Sequence, residues 1–292
     1  MTIFDLIGNT PLVEIQKLNP YKNVTIYGKL EGQNPGGSVK DRAAYGMIKA
    51  AMDRGEIRPG DRLVEATSGN TGIALAMIAQ SMGLNMTLLM PETATVERRQ
   101  AMQAYGAEVI LTPGDRTIEY SRELAEEMAN HKGYFMLNQF ANPDNYKMHY
   151  RTTGPEIWRD TAGKITHFVS AMGTTGTIMG VSRYLKEKNT DVQIVGTQPT
   201  EGSRIPGIRR WSPEFLPKIF EASRVDRTID VSEDQAREMA RKLAKEEVIM
   251  SGMSSGGALT AALQVASSLE TGVIVFIVCD RGDRYLSSGL FD

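Results

Sequence analysis

Apolar positions along the chain alternate between two rhythms. Short β-branched runs predict strands at Val24-Thr25-Ile26-Tyr27, Leu63-Val64-Glu65, Met86-Thr87-Leu88-Leu89 and Glu108-Val109-Ile110-Leu111. The pattern returns at His167-Phe168-Val169, Gln193-Ile194-Val195-Gly196 and Val273-Ile274-Val275-Phe276-Ile277. Helical spacing fills the gaps, over 42–54, 71–82, 96–105, 118–130, 178–188, 233–245 and 258–268. Asn142-Pro143 reads as a cap followed by proline at the first helical position, and Thr153-Gly154-Pro155-Glu156 and Ser232-Glu233-Asp234-Gln235 fit capping boxes. The helix from Thr71 is apolar nearly all round (Ile73, Ala74, Leu75, Ala76, Met77, Ile78, Ala79), which predicts burial. Strands separated by single helices imply parallel crossovers. The fold expected is α/β in two lobes, each a mostly parallel sheet flanked by helices. A smaller, mobile lobe is expected over 35–145, and a larger one over 1–34 plus 146–292. The stretch 200–225 breaks the rhythm with Gly202, Pro206, Gly207, Pro213 and Pro217, and a loop of that length in a compact domain is usually functional or disordered.

Composition narrows the classes. Across 292 residues, 33 Lys and Arg face 35 Asp and Glu, for a net charge of −2, too balanced to expect nucleic acid or an anionic membrane surface as partner. The one cysteine excludes an internal disulfide and multi-cysteine metal sites and fits a reducing compartment. His131, His149 and His167 lack metal-ligand spacing and read as ordinary helix or strand residues, so no metal is expected. No run approaches the roughly 20 apolar residues of a membrane span, and Met1-Thr2-Ile3-Phe4-Asp5 does not open a secretory signal, so a cytoplasmic location is expected.

Three polar, glycine-rich turns carry candidate chemistry. Gly32-Gln33-Asn34-Pro35-Gly36-Gly37-Ser38-Val39-Lys40-Asp41-Arg42 sets a lysine at the start of a helix beside an arginine, a placement that makes it either a Schiff-base candidate or a plain surface lysine. Glu65-Ala66-Thr67-Ser68-Gly69-Asn70-Thr71-Gly72 offers hydroxyls, an amide and backbone N–H groups at a helix start, suited to an anion. Ser170-Ala171-Met172-Gly173-Thr174-Thr175-Gly176-Thr177 permits a backbone nest for phosphate. Neither G-x-G-x-x-G after a strand nor a P-loop pattern occurs, which removes the main support for dinucleotide and P-loop readings.

Together these turns resemble the fold-type II pyridoxal-phosphate enzymes, which are tryptophan synthase β-like, and within them the O-acetylserine sulfhydrylases (cysteine synthases). The resemblance begins at Ile7-Gly8-Asn9-Thr10-Pro11-Leu12, runs through the three turns in the family's order and spacing, and reaches Ser254-Ser255-Gly256-Gly257. Finer marks resemble the family's B-type branch, which also uses thiosulfate: Ser170-Ala171-Met172, Ile205-Pro206-Gly207-Ile208-Arg209-Arg210-Trp211 and Cys279-Asp280-Arg281-Gly282-Asp283-Arg284-Tyr285. The family's A-type members carry another loop at the arginine pair and a serine in place of Cys279.

The resemblance implies pyridoxal 5'-phosphate as cofactor, with Lys40 as its Schiff-base lysine. Gly173, Thr174, Thr175, Gly176 and Thr177 would hold the phosphate, and Asn70 would lie beside the 3'-oxygen. Thr67, Ser68, Gly69, Asn70 and Thr71 would bind the substrate's α-carboxylate, with Gln139 assisting. Cys279 would stand near the pyridine nitrogen, although Asp280 next door is an alternative. A neutral partner there makes the ring a weaker electron sink, which suits β-elimination. The implied reaction replaces the acetate of O-acetyl-L-serine by sulfide, giving L-cysteine, or by thiosulfate, giving S-sulfocysteine, through an α-aminoacrylate and with ping-pong kinetics. Arg209 and Arg210 are either the attractor for a dianion or a solvated basic pair. The family implies a homodimer, and its B-type branch argues against a serine acetyltransferase complex. Relatives often carry a short tail beyond the position of Phe291-Asp292; if that tail helps cover their site, closure here is expected to rely on the 200–225 loop. An O-phosphoserine-dependent sulfhydrylase, another β-eliminating enzyme of the same fold and a non-enzymatic α/β binding scaffold are the alternatives.

Overall fold

Each apolar run of the pattern becomes a strand in the computed structural model, which describes residues 1–67, 69–116 and 118–292. The strands are β1 (Leu12–Glu14), β2 (Val24–Leu30), β3 (Arg62–Ala66), β4 (Asn85–Pro91), β5 (Glu108–Thr112), β6 (Phe135–Met136), β7 (His167–Ala171), β8 (Gln193–Pro199), β9 (Arg227–Val231) and β10 (Gly272–Val278). The helices are α1 (Lys40–Asp53), α2 (Asn70–Ser81), α3 (Val96–Ala104), α4 (Ile118–His131), α5 (Pro143–Arg151), α6 (Thr153–Asp160), α7 (Gly176–Lys188), α8 (Glu233–Glu246) and α9 (Met253–Ala266). The chain divides into two units, Met1–Val39 with Tyr146–Asp292, and Lys40–Asn145.

In the larger unit the strand order is β1-β2-β10-β7-β8-β9, parallel throughout except for the antiparallel β1 at one edge. β10 lies between β2 and β7, covered on both faces, and so reads as an unbroken apolar run. Its alternate residues enter two cores: Ile274, Phe276 and Val278 pack with α9, while Val275 and Ile277 pack with Phe168, Ile178 and Ile194. Cys279 packs against that second core and continues the same alternation. The smaller unit carries the all-parallel sheet β5-β4-β3-β6. Its helix α2 buries every residue from Thr71 to Ala79, as its all-round apolar character predicts.

Elements that the pattern does not predict have local causes. α9 starts at Met253 rather than 258, and Gly256 near its start serves helix packing. A Cβ on Gly256 would collide with the carbonyl oxygen of Ala236 and lie 2.6 Å from the backbone nitrogen of Ala240 on α8. β9 escapes notice because Arg227 and Asp230 stand among its five residues, of which only Ile229 and Val231 face the core. The capping box at Ser232 forms, with Gln235 N–H donating to Ser232 Oγ (3.2 Å) and Ser232 N–H to Gln235 Oε1 (2.9 Å). The one at Thr153 does not. Only Thr152 separates α5 from α6, and the two hydroxyls turn back to α5: Thr152 Oγ1 donates to the Met148 carbonyl (2.7 Å), and Thr153 Oγ1 meets His149 Nδ1 (2.9 Å). The 200–225 stretch holds only two 3-10 turns, Pro213–Phe215 and Ala222–Arg224, and is anchored by the buried side chains of Ile205, Ile208 and Ile219.

Gly256→Ala is expected to lower unfolding stability by about 1–3 kcal/mol, the cost of forcing α8 and α9 apart. Chemical denaturation monitored by far-UV dichroism checks it; an unchanged midpoint would contradict the packing role.

Candidate active site

The lysine turn is held at the carboxyl end of β10. Val39 N–H donates to the Cys279 carbonyl (2.8 Å), and Ser38 forms an isolated antiparallel bridge with Asp280. Lys40 follows at once, half-buried, and opens α1 with Asp41 and Arg42 fully buried behind it. The turn requires glycine at position 37. Its φ is +81°, Arg281 N–H donates to its carbonyl (3.2 Å), and Arg284 Nη2 reaches the Gly36 carbonyl (2.8 Å) across the space a side chain would take.

Two neighbours at this end have different surroundings. Asp280 is buried and commits both carboxylate oxygens, Oδ1 to the N–H of Gly252 at the start of α9 (3.1 Å) and Oδ2 to the Tyr285 hydroxyl (2.6 Å). Cys279 is half-buried on the opposite side of the chain; its N–H donates to Ser255 Oγ (2.9 Å), and its Sγ lies 3.7 Å from the Ile277 carbonyl.

The adjacent strand β7 delivers the second turn of the larger unit. Thr175, the residue before α7, adopts φ +70° and ψ −3°, a conformation costly for a β-branched side chain. Thr174 Oγ1 accepts the Gly176 N–H (3.4 Å), while the buried Thr175 Oγ1 has no hydrogen-bond partner among the described residues. A buried hydroxyl with no partner, a left-handed residue and the N-terminus of a 13-residue helix together suit a phosphate group, which would satisfy the orphan and offset the strain. Thr177 Oγ1 lies 3.3 Å from His149 Nε2, and the His149 ring is fixed from its other nitrogen by Thr153. Gly173 touches the 200–225 stretch twice: its carbonyl accepts Trp211 Nε1–H (2.8 Å), and a Cβ on it would lie 2.5 Å from the Gly207 carbonyl oxygen. Arg209 N–H also donates to the Met172 carbonyl (2.9 Å).

The arginine pair splits. Arg210 bonds the Pro199 carbonyl through Nε (3.0 Å) and pairs with Asp230 on β9. Arg209 is exposed, its guanidinium 5.7 Å from the Trp211 ring.

In the smaller unit the turn after β3 and the segment after β6 meet. Thr67 and Thr71 are buried, Gly69 caps α2 in extended conformation, and Asn70 is its first residue. Thr71 Oγ1 donates to Gln139 Oε1 (2.8 Å), so hydroxyl, amide and the N-terminus of α2 converge. Ser68 lies outside the described residues.

Three contributors escape the sequence reading. His149 and Trp211 carry no pattern that separates them from core residues. Glu65 does carry a signal, a charge at the end of the apolar run Leu63-Val64-Glu65. It is 1% exposed and accepts the Asn138 N–H (3.0 Å), with the Gln139 N–H nearby. Burial pushes its carboxyl from 4.5 up to about 7, against the opposing pull of the two N–H groups and the Arg122 charge on α4. Among the described residues no cluster of His, Cys, Asp or Glu suits a metal ion, and no helix is long and apolar enough to cross a membrane.

With this geometry in view, known proteins show clear likeness. The family model described as "Pyridoxal-phosphate dependent enzyme" matches residues 3–280. Cysteine synthase B of Pseudomonas aeruginosa is 60% identical over 291 residues, covering 100% of this chain and 97% of that protein. The crystal structure of an O-ureido-L-serine synthase superposes with a TM-score of 0.94 at 39% identity, covering 100% of this chain and 95% of that one. That of cysteine synthase from Entamoeba histolytica gives 0.93 at 40% identity, covering 99% and 90%.

Thr175→Val replaces the orphan hydroxyl by a methyl of equal size. Without cofactor it is expected to raise unfolding stability by about 1 kcal/mol, by removing an unsatisfied buried polar group. With pyridoxal phosphate added, the dissociation constant is expected to rise about tenfold. Denaturant midpoints and equilibrium dialysis check the two arms; a tighter-binding variant would contradict the phosphate role.

Proposed function

The chain belongs to the pyridoxal-phosphate-dependent enzymes, among the B-type cysteine synthases, and from that membership we propose that it replaces the acetate of O-acetyl-L-serine by sulfide to make L-cysteine. The observation that carries the reading is the Thr175 turn, strained and with an unsatisfied hydroxyl, on a chain alike end to end to cysteine synthases.

When bound, pyridoxal phosphate supplies the electron sink that acidifies the substrate's Cα and lets the β-acetate depart. The chain's residues divide the remaining work. Gly173, Thr174, Thr175, Gly176 and Thr177 hold the phosphate through backbone N–H groups and hydroxyls, with His149 orienting Thr177. Lys40 would supply the amine that anchors the cofactor and would take the proton from Cα and later return it. Thr67, Ser68, Gly69, Asn70 and Thr71 would bind the α-carboxylate with Gln139, and Asn70 would also serve the cofactor's 3'-oxygen. Cys279 rather than Asp280 would serve the pyridine nitrogen, a choice supported by the engagement of both Asp280 oxygens by Gly252 and Tyr285. A thiol there leaves the nitrogen without a carboxylate partner, which favours elimination over transamination.

Thiosulfate use is the finer part of the proposal. With Arg210 paired to Asp230, the exposed Arg209 is the cation available to draw a dianion, and Arg210 holds the loop that presents it. The enzyme is proposed to work as a cytoplasmic homodimer without serine acetyltransferase as partner. The smaller unit is proposed to be mobile, with the 200–225 loop aiding closure.

Purified holoenzyme is expected to show a visible absorption band that moves to longer wavelength with O-acetyl-L-serine and reverts on adding sulfide; light scattering is expected to give the mass of two chains. A band unmoved by O-acetyl-L-serine but shifted by O-phospho-L-serine would transfer the assignment to that substrate. Arg209→Ala is expected to lower kcat/KM for thiosulfate about tenfold, the worth of one charge-assisted contact, with little change for sulfide. Equal losses for the two nucleophiles would refute the steering role.

A further inference from the structure

We propose that Glu65 is a positioning residue for substrate binding, its carboxylate holding the backbone at Asn138 so that the side chain of the next residue, Gln139, meets Thr71. The inference rests on the proposed role of Thr67–Thr71 and Gln139 as the clamp for the α-carboxylate.

The sheet explains why such a device is needed. β6 pairs with β3 over only two residues, Phe135 with Leu63 and Met136 with Val64. The next position on β3 is Glu65, where pairing with β6 has stopped. Asn138 then turns the chain with φ +53°, and no strand remains beside it to accept the N–H groups of residues 138 and 139. Buried N–H groups need acceptors. Glu65 accepts the first, Asn138 N–H (3.0 Å), from the neighbouring strand and lies close enough to the second for it to draw the carboxyl pKa down. A carboxylate suits this place because both its oxygens accept and neither donates.

The segment so held is fixed at every step. The Asn138 carbonyl accepts the N–H groups of Ala141 (3.0 Å) and Asn142 (2.9 Å), and the Gln139 carbonyl accepts Asn145 Nδ2 (2.8 Å). Phe140 lies under the Arg122 guanidinium, 4.8 Å from the ring centre. Gln139 is left with one outward task, presenting Oε1 to Thr71 Oγ1. Glu65 and Thr71 stand on either side of the Thr67–Asn70 turn, so the residue that fixes Gln139 lies in the strand that also delivers the clamp.

An acid is a costly solution to a backbone problem in this place. β4, β6 and α2 bring no titratable side chain, and of the groups on α4 it is Arg122 whose charge acts on Glu65. One cation at a distance and two N–H groups compensate only part of the desolvation. What the cost secures is a fixed register for Gln139.

The test compares Glu65→Ala, Glu65→Gln and Gln139→Ala with the parent holoenzyme. Amide hydrogen exchange is followed at residues 138 and 139, and affinity by spectral titration with L-serine, which carries the same carboxylate on a poorer leaving group. Glu65→Ala is expected to speed exchange at the Asn138 amide and raise the L-serine dissociation constant, each about tenfold, with Glu65→Gln intermediate because a neutral amide oxygen accepts more weakly than a carboxylate. KM for O-acetyl-L-serine should rise while KM for sulfide stays level, a split that general loosening of the fold would not produce. If Gln139→Ala weakens L-serine binding but neither Glu65 variant does, the inference is overturned and the clamp stands. If Gln139→Ala leaves binding unchanged, the clamp reading fails and the inference with it. Should Glu65→Ala not fold, Glu65→Gln decides alone: parent-like exchange and affinity overturn the proposal.

Discussion

The pairing of residues 38 and 39 with residues 280 and 279 governs the candidate site. It ties the turn that carries Lys40 to the carboxyl end of β10, the strand between β2 and β7 in the larger sheet. Because β7 runs parallel beside β10, its carboxyl end brings the Gly173–Thr177 turn to the same edge. The next parallel strand, β8, ends there too and releases the chain into the 200–225 stretch. Three chemically distinct segments therefore share one edge because three parallel strands do, the general reason that open α/β sheets bind ligands at strand carboxyl ends. Gly37 and the Arg284 contact behind it are part of that constraint, since a side chain at 37 would dislodge the turn from β10.

Both candidate anion sites rely on neutral donors. The turn before α7 offers threonine hydroxyls and backbone N–H groups, and the turn before α2 offers Thr67, Thr71 and the Gln139 amide. Neutral donors bind an anion well only when they are already oriented. That accounts for the expense visible around them: the left-handed Thr175, the orphan hydroxyl, the His149 ring fixed at both nitrogens and the buried Glu65 carboxyl. Each such cost sits within two residues or hydrogen bonds of a proposed binding group, where strain and desolvation tend to concentrate.

The 200–225 stretch, lacking periodicity, is nevertheless ordered by three isoleucines and by polar tethers. Trp211 Nε1–H on the Gly173 carbonyl joins it to the phosphate turn, and Arg210 with Asp230 joins it to edge strand β9. The tethers explain why two adjacent arginines have different fates. Both are exposed, but only Arg210 is tied by its side chain to Asp230 and the Pro199 carbonyl.

Much of this was legible in residue order, because the signals are local. Strand period, the all-apolar α2, the Ser232 cap and the three turns each depend on neighbours a few positions away, and so does the two-lobed α/β class that the structure and its likeness to cysteine synthases bear out. What depended on distant chain was hidden. The close approach of α8 to Gly256 in α9 leaves no local sign, and β9 looks like loop until β8 pairs with it. Cys279 and Asp280 are adjacent letters, yet Tyr285 and the start of α9 occupy the carboxylate and separate their surroundings. Arg209 and Arg210 divide only because Asp230 stands beside one of them. Sequence by itself determined the chemistry carried in each turn and the family. Tertiary structure alone decided which polar groups are already spent on each other, because a hydrogen bond between residues 73 or 248 positions apart leaves no local mark.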